Sequence, residues 1–477
     1  MSLQQHANLA VQALHQGAWA DAINHAKTAL AISPQHPELL HILAMSLRGA
    51  GYFPQAEQAF KYCLQIDPTH AVAAGNYANL LFQQERYTEA EALYRLAINS
   101  GKASIDAKRN LANLLGLTLG RYDEAIHLLE EDVSPSAQRI LADIKHKKGE
   151  TQDALKLIER LLDEQEPQVD LILRLGHFMR DLGLSEQAIS RLLPHAETMT
   201  DRADYHHLMG CLNYDIGDWV NAENFLQVAI ELSPNMLEAH RALNQLYWEQ
   251  ARDDDFLLSY RRLKQDGKYT PAVRMNEVST LVQTKQFDHA RHLLVEGLKV
   301  DGNLADYRHA LGAIECRESN LELARDHLQA AADAMPENNR WQVDLASVLI
   351  QLGNYEDAFK KLEHAGQQLP DNQEIWAYKG LCWRLTSDER FHWLYDERLI
   401  DYRPLPIPKG FDNSEHFFCS LAESLSKLHT ASRQPLDQSV AGGTQSMGNL
   451  FVQRDPVIQA YRTALYQRIQ DFLHGLP

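Results

Sequence analysis

Histidines and carboxylates at helical spacing are the first candidates for chemistry in this chain. His289 and His292 sit one turn apart in a helix-patterned segment, and Asp204 lies close to His206 and His207. Such groups suit zinc or a similar cation, but a closed site takes four ligands and neither set completes that count. Solvated histidines on helix surfaces account for both, so no metal ligand is assigned. Gly442 and Gly443 could approach a phosphate, yet no Lys-Ser or Lys-Thr pair follows them as a nucleotide-binding loop requires. The segment reads as a loop.

Hydrogen-bonding chemistry is better represented. Asn76-Tyr77-Ala78-Asn79 is followed 34 residues on by Asn110-Leu111-Ala112-Asn113. An Asn side chain offers a donor and an acceptor, so a row of them can hold the backbone of an extended peptide whatever its side chains are. Each net bond is worth about 0.5–1.5 kcal/mol, which supplies register more than affinity. Asn76, Asn79, Asn110 and Asn113 are therefore the candidate peptide-binding residues. The same groups can equally bond between adjacent helices, and the sequence leaves both uses open.

The elements that position these residues follow from an internal period. Gly, an aromatic two residues on and Ala three further recur as Gly17-Trp19-Ala22, Gly51-Phe53-Ala56, Gly120-Tyr122-Ala125, Gly217-Trp219-Ala222 and Gly353-Tyr355-Ala358, with weaker copies ending at Ala90, Ala154, Ala188, Ala290 and Ala324. Successive alanines are 34 or 35 residues apart, except for one step of 29 before Ala154 and a position held by Phe256. A second series, Ala10, Ala44, Ala78, Ala142, Gly176, Gly210, Gly312, Ala346 and Gly380, runs in the preceding segment of each unit. Small residues on two amphipathic segments let paired antiparallel helices approach closely. The central Gly suits the turn between them, and Pro34, Pro68, Pro234, Pro336 and Pro370 close units where no interior helix bond is lost. The copies at 139–200 and 236–270 are degenerate, and a local break in pitch is expected there.

Composition narrows the partners. The 64 acidic residues against 46 Lys and Arg give a net charge of -18, which repels a phosphate backbone, so nucleic acid is not expected as a partner. Five cysteines, odd in number and without a Cys-x-x-Cys pair, read as reduced small residues of a cytoplasmic protein. No stretch approaches the roughly 18 apolar residues of a membrane span.

The 34-residue pattern resembles the tetratricopeptide repeat family over about residues 3–385. The resemblance implies an all-α solenoid of about eleven helical hairpins, a right-handed superhelix whose concave groove holds a protein or peptide. Two consecutive Asn pairs are similar to the asparagine ladder in the repeat domain of O-linked N-acetylglucosamine transferases. The expected division is a repeat array over 1–390, a capping helix and Pro-rich connector over 391–410, and a further segment over 411–477. Phe391, Leu394 and Leu399 would face inward from the cap, and two amphipathic helices would follow. Phe417, Phe418, Leu421, Leu425 and Leu428 mark the first; Asp455 and Pro456 open the second, which carries Ile458, Tyr461, Leu465, Ile469 and Phe472.

Between those helices, Pro435-Leu436-Asp437-Gln438-Ser439 and Gly442-Gly443-Thr444-Gln445-Ser446 resemble the entry segment of bacterial 2-oxoglutarate/iron(II) oxygenases that follow tetratricopeptide arrays. That resemblance, from about residue 394 onward, implies a jelly-roll barrel with two histidines and a carboxylate on iron. None of His392, His416, His429 and His474 has a carboxylate two residues on; His36-Pro37-Glu38 and His195-Ala196-Glu197 do, but lie inside repeat units. The expectation is a chain cut before its barrel, with no catalytic or cofactor-binding residue of its own, iron(II) and 2-oxoglutarate entering only with the missing domain. The function expected of the chain is a protein-interaction scaffold, the alternative being the substrate-recruiting part of such a hydroxylase.

Overall fold

The computed structural model describes residues 1–476 apart from 101–104, 165–167, 303, 430, 435, 437–444, 447–449 and 454, and among the described residues there is no strand. The Gly442-Gly443 segment lies outside the described residues. Two compact units divide the chain between Leu182 and Gly183, inside the degenerate stretch 139–200.

In the first unit, hairpins pair α1 (Leu3–His15) with α2 (Trp19–Ile32), α3 (Pro37–Gly49) with α4 (Phe53–Ile66), and α5 (Ala71–Gln83) with α6 (Tyr87–Asn99). Next, α7 (Ile105–Asn113), extended by a π-helical turn, pairs with α8 (Tyr122–Leu129), and α9 (Pro135–Lys148) with α10 (Thr151–Glu164) before α11 (Val169–Asp181). The short step before Ala154 has a local cause: α8 has 8 residues where α2 and α4 have 14.

The second unit begins with α12 (Ser185–Leu192) and continues as α13 (Ala203–Asp215) with α14 (Trp219–Leu232), and α15 (Leu237–Glu249) with α16 (Leu258–Gln265). Hairpins α17 (Pro271–Gln283) with α18 (Phe287–Val300), α19 (Ala305–Arg317) with α20 (Leu321–Ala334), and α21 (Asn339–Gln351) with α22 (Tyr355–Gln368) follow. Then come α23 (Gln373–Leu385) with α24 (Arg390–Leu394), and α25 (Ser414–Ser426) packed on α26 (Pro456–Leu473).

The small-residue series are the crossing points of these hairpins. Ala22, Ala56, Ala90, Ala125, Ala154, Ala188, Ala222, Ala290, Ala324 and Ala358 are all fully buried, as are Ala10, Ala44, Ala78, Ala142 and Ala346 from the other series. At Gly210 a Cβ would stand 2.7 Å from Leu226 Cγ, and at Gly312 a Cβ would stand 2.6 Å from Leu328 Cγ. Both series fail in the degenerate unit. Asn244 takes the small-residue place on α15 and is fully buried. Its amide donates to the His240 carbonyl and to Ser259 Oγ, and its Oδ1 accepts the Leu257 N–H at 2.6 Å. Leu257 has φ +63, so the buried Asn holds a bent entry into α16 in place of a close helix crossing.

Every turn inside a hairpin needs one left-handed residue, whichever residue stands there. Gly17, Gly51, Gly183, Gly217 and Gly353 meet it with positive φ, and so do Glu85, Ala251, Lys285, Ser319 and Ser387 in the weaker copies. The turn geometry is set by the two packed helices and overrides the local preference of an L-residue.

Beyond the array, the expected capping helix is α-helical only over Arg390–Leu394, a 3-10 turn follows over Glu397–Leu399, and Leu399 is exposed, because Asp396 turns the chain by accepting the Arg398 N–H. Asp455 does cap α26, and Phe417, Leu421 and Ile458 form the small core of α25 and α26. Phe418 and Ile469, expected inward, are half exposed.

Gly312→Ala should lower the stability of the second unit by about 1–3 kcal/mol through overpacking against Leu328. Ser319→Gly, about two turns along the same hairpin, should raise it by up to about 1 kcal/mol by relieving the left-handed strain. Urea midpoints of the two variants on either side of the parent would check both.

Candidate functional site

Within each unit, successive first helices of the hairpins touch one another: α1 with α3 and α3 with α5 in the first, α13 with α15, α15 with α17, α19 with α21 and α21 with α23 in the second. No pair of successive second helices does so to the same extent among the described residues. The closer spacing puts the first helices on the inner side of the curve. Their exposed faces are the surface on which the candidate asparagines were placed.

Asn76, Asn79, Asn110 and Asn113 are all half-buried on α5 and α7. Asn76 Nδ2 lies 2.9 Å from His41 Nε2 on α3, and Asn110 Nδ2 donates to Asn79 Oδ1 at 2.9 Å. Asn79 Oδ1 also accepts from the buried Tyr94 hydroxyl at 2.6 Å. Three of the four thus bridge neighbouring helices, while the half-buried amides keep an accessible edge.

They belong to a longer polar seam that the sequence reading missed. Asp143 accepts from Arg174, and His146 pairs with Asp181 at 3.1 Å. In the second unit Tyr214 donates to Glu249 and accepts from Gln245, His309 meets Asp344 at 2.8 Å, and Arg340 donates to Glu374. Partners are separated by 31 or 35 residues in nearly every case. Those two values are one repeat minus three and one repeat plus one. They differ by four residues, about one helical turn, so both reach the same face of the next first helix. Polar residues at these offsets in the sequence were the available signal.

Burial and neighbouring charges shift the carboxyls of the seam in opposite directions along its length. Glu249 is fully buried, and desolvation raises its carboxyl above the usual carboxylate range despite the bonds from Tyr214 and Gln245. Burial also pushes Asp344 up, but His309 and Arg340 outweigh it and hold that carboxyl below its ordinary value.

The first unit also holds a group that spacing did not reveal. One nitrogen each of His41 and His70 and a Glu38 oxygen lie within 4.8 Å of one another; His70 comes from the following repeat. Among the described residues this is the only set of three candidate metal ligands. Its protons argue against a metal. His70 Nδ1 accepts the Ala73 N–H at the start of α5, which leaves the proton on Nε2, 3.5 Å from Glu38 Oε1. His41 Nε2 faces the Asn76 amide, which leaves its proton on Nδ1, 3.7 Å from Glu38 Oε2. Both nitrogens a cation would need therefore carry hydrogen, and that of His70 Nε2 has no hydrogen-bond partner. The other histidine sets, around His289 and His206, do not converge with further ligands among the described residues.

These hairpins define a helical-repeat solenoid. The tetratricopeptide repeat family model matches residues 47–114 and 317–382, and the hairpins within those residues are of that type. A tetratricopeptide repeat protein from Parabacteroides merdae is 16% identical over 52% of this chain and 98% of its own, with a TM-score of 0.42. Yeast Tom70 is 12% identical over 82% and 96%, TM-score 0.37, and Pseudomonas aeruginosa pilF 19% over 43% and 94%, TM-score 0.38. At these values the likeness carries no functional information. No curated protein sequence matches. The family match ends at residue 382, and nothing in these comparisons supports the resemblance of the later segment to an oxygenase.

Asn79→Ala should cost about 1–3 kcal/mol in the first unit, because it leaves the Tyr94 hydroxyl and the Asn110 amide without their acceptor. Adding Tyr94→Phe should recover part of that loss, and a double-mutant cycle on urea midpoints reads the coupling.

For Glu249 the folded pKa is raised, so the folded chain keeps this proton to higher pH than the unfolded chain does. Its contribution is full below the ordinary carboxylate pKa and is lost as pH rises through the folded value. The melting temperature of Glu249→Gln relative to the parent should therefore climb between pH 4 and pH 8; an offset independent of pH would contradict the assignment.

Proposed function

We propose that this chain is an interaction scaffold that holds a partner protein or peptide along the inner faces of its first helices. The observation that carries the reading is the seam itself: in repeat after repeat, half-buried polar side chains reach the same face, spaced by the repeat and presented on rigid helices. Donors and acceptors in that arrangement suit an extended backbone, and rigidity lowers the ordering cost of binding. The net charge of -18 favours a protein partner over a nucleic acid. No described helix is long and apolar enough to cross a membrane.

Asn76, Asn79, Asn110 and Asn113 are the residues proposed to contact the partner in the first unit. Replacing all four with Ala should weaken a partner recovered by affinity capture by about 2–4 kcal/mol, the scale of several net hydrogen bonds. Titration by calorimetry below the melting onset of the variant measures it. Unchanged affinity with a lowered melting temperature would reduce the asparagines to ties between helices.

A further inference from the structure

The segment after α25 returns to the array. Residues 432–434 lie on the end of α15 and the turn before α16, about 180 positions earlier in the chain. Ser432 N–H donates to the Glu249 carbonyl at 2.8 Å, and the Trp248 indole N–H donates to the Gln434 carbonyl at 3.0 Å. Between these two backbone bonds, the Arg433 guanidinium donates to both oxygens of Asp253 at 2.6 and 2.9 Å and lies 4.6 Å above the Trp248 ring. Leu436, three residues on, is 2% exposed.

These contacts divide in the way a peptide site divides. The two backbone bonds are indifferent to sequence and set the register. The side-chain contacts are selective, because a planar guanidinium both forks onto a carboxylate and stacks on an indole, which an ammonium does not do. The receiving groups belong to the array and are fixed without the tail. Trp248 packs on Phe256 with ring centroids 5.6 Å apart, and Arg252 beside Asp253 is tied to Glu223 and Asp255. The Glu249 carbonyl is one of the last in α15, an acceptor with no partner inside its helix.

The unit that carries them is the degenerate one. Asn244 opens the α15 to α16 turn there, and the opened turn is where Asp253 stands.

We propose that Trp248, Asp253 and the Glu249 carbonyl form a binding site for an extended peptide bearing arginine. Residues 432–434 are its resident occupant, displaced when a partner segment bearing such an arginine binds. The proposal rests on the scaffold reading and gives it a ligand chemistry. A tethered occupant acts at an effective concentration on the order of millimolar, so it screens the site from weak competitors and yields to an abundant or tighter one.

The test uses the full chain and a fluorescein-labelled hexapeptide with the sequence of residues 431–436. Arg433→Ala vacates the site, and this variant should bind the peptide at least tenfold more tightly than the parent chain. Adding Asp253→Asn to Arg433→Ala should reverse that gain by tenfold or more; Asp253 is exposed, so this change leaves the fold intact. A peptide with lysine in place of arginine should bind at least tenfold more weakly. Hydrogen exchange at the Ser432 amide should quicken in Arg433→Ala. Equal peptide affinity for the parent and Arg433→Ala, indifference to Asp253→Asn, or unchanged exchange at Ser432 would each overturn the proposal. None of these residues belongs to the asparagine row, so partner capture through that row is scored separately with the same variants.

Discussion

The structure depends on how closely two helices of one hairpin can approach. Alanine or glycine at one position on each helix removes the side-chain layer that would otherwise hold the backbones apart, and leucine or aromatic neighbours then close over the crossing. Ala10, Ala22, Ala44 and Ala56 are fully buried in this way in the first unit, and Leu226 over Gly210 and Leu328 over Gly312 show the arrangement in the second. Once the crossing is fixed, the turn between the helices has little freedom. Lys285 and Ser319 accept a left-handed backbone for that reason, although neither residue favours it.

The polar seam is a consequence of the same packing. First helices that lie side by side bring residues one repeat apart into contact, and the 34-residue period places offsets of 31 and 35 on facing surfaces. Polar side chains there satisfy one another across helices while keeping an edge toward solvent. The seam therefore joins neighbouring hairpins and lines the face proposed to hold a partner. A carboxylate sunk deeper into it, as at Glu249, has its pKa raised by burial; one met by arginine and histidine, as at Asp344, has its pKa lowered.

Where the small-residue rule lapses, the chain does something else. Asn244 cannot permit the close crossing, so it uses its amide and carbonyl to hold a bent approach to α16. The opened turn exposes an indole N–H, a helix-end carbonyl and a carboxylate in one place, and the distant tail supplies an arginine and two backbone groups to meet them. The irregular repeat is thus the one whose surface has acquired a specific ligand.

The sequence by itself determined the repeat, its phase, the helix pairs and the buried small residues, because each of these is set within about 34 residues by periodicity and side-chain size. It also determined the Asp455 cap and Pro456 start of α26, which are local. It left open whether Asn79 would face a peptide or Tyr94, since an amide serves both and only the position of α6 brings the tyrosine hydroxyl to it. The approach of His70 to Glu38 and the docking of Arg433 on Trp248 and Asp253 were decided by tertiary structure alone. Those contacts join residues from different repeats, or from opposite ends of the second unit, and no local spacing records a distance that exists only after the helices have stacked.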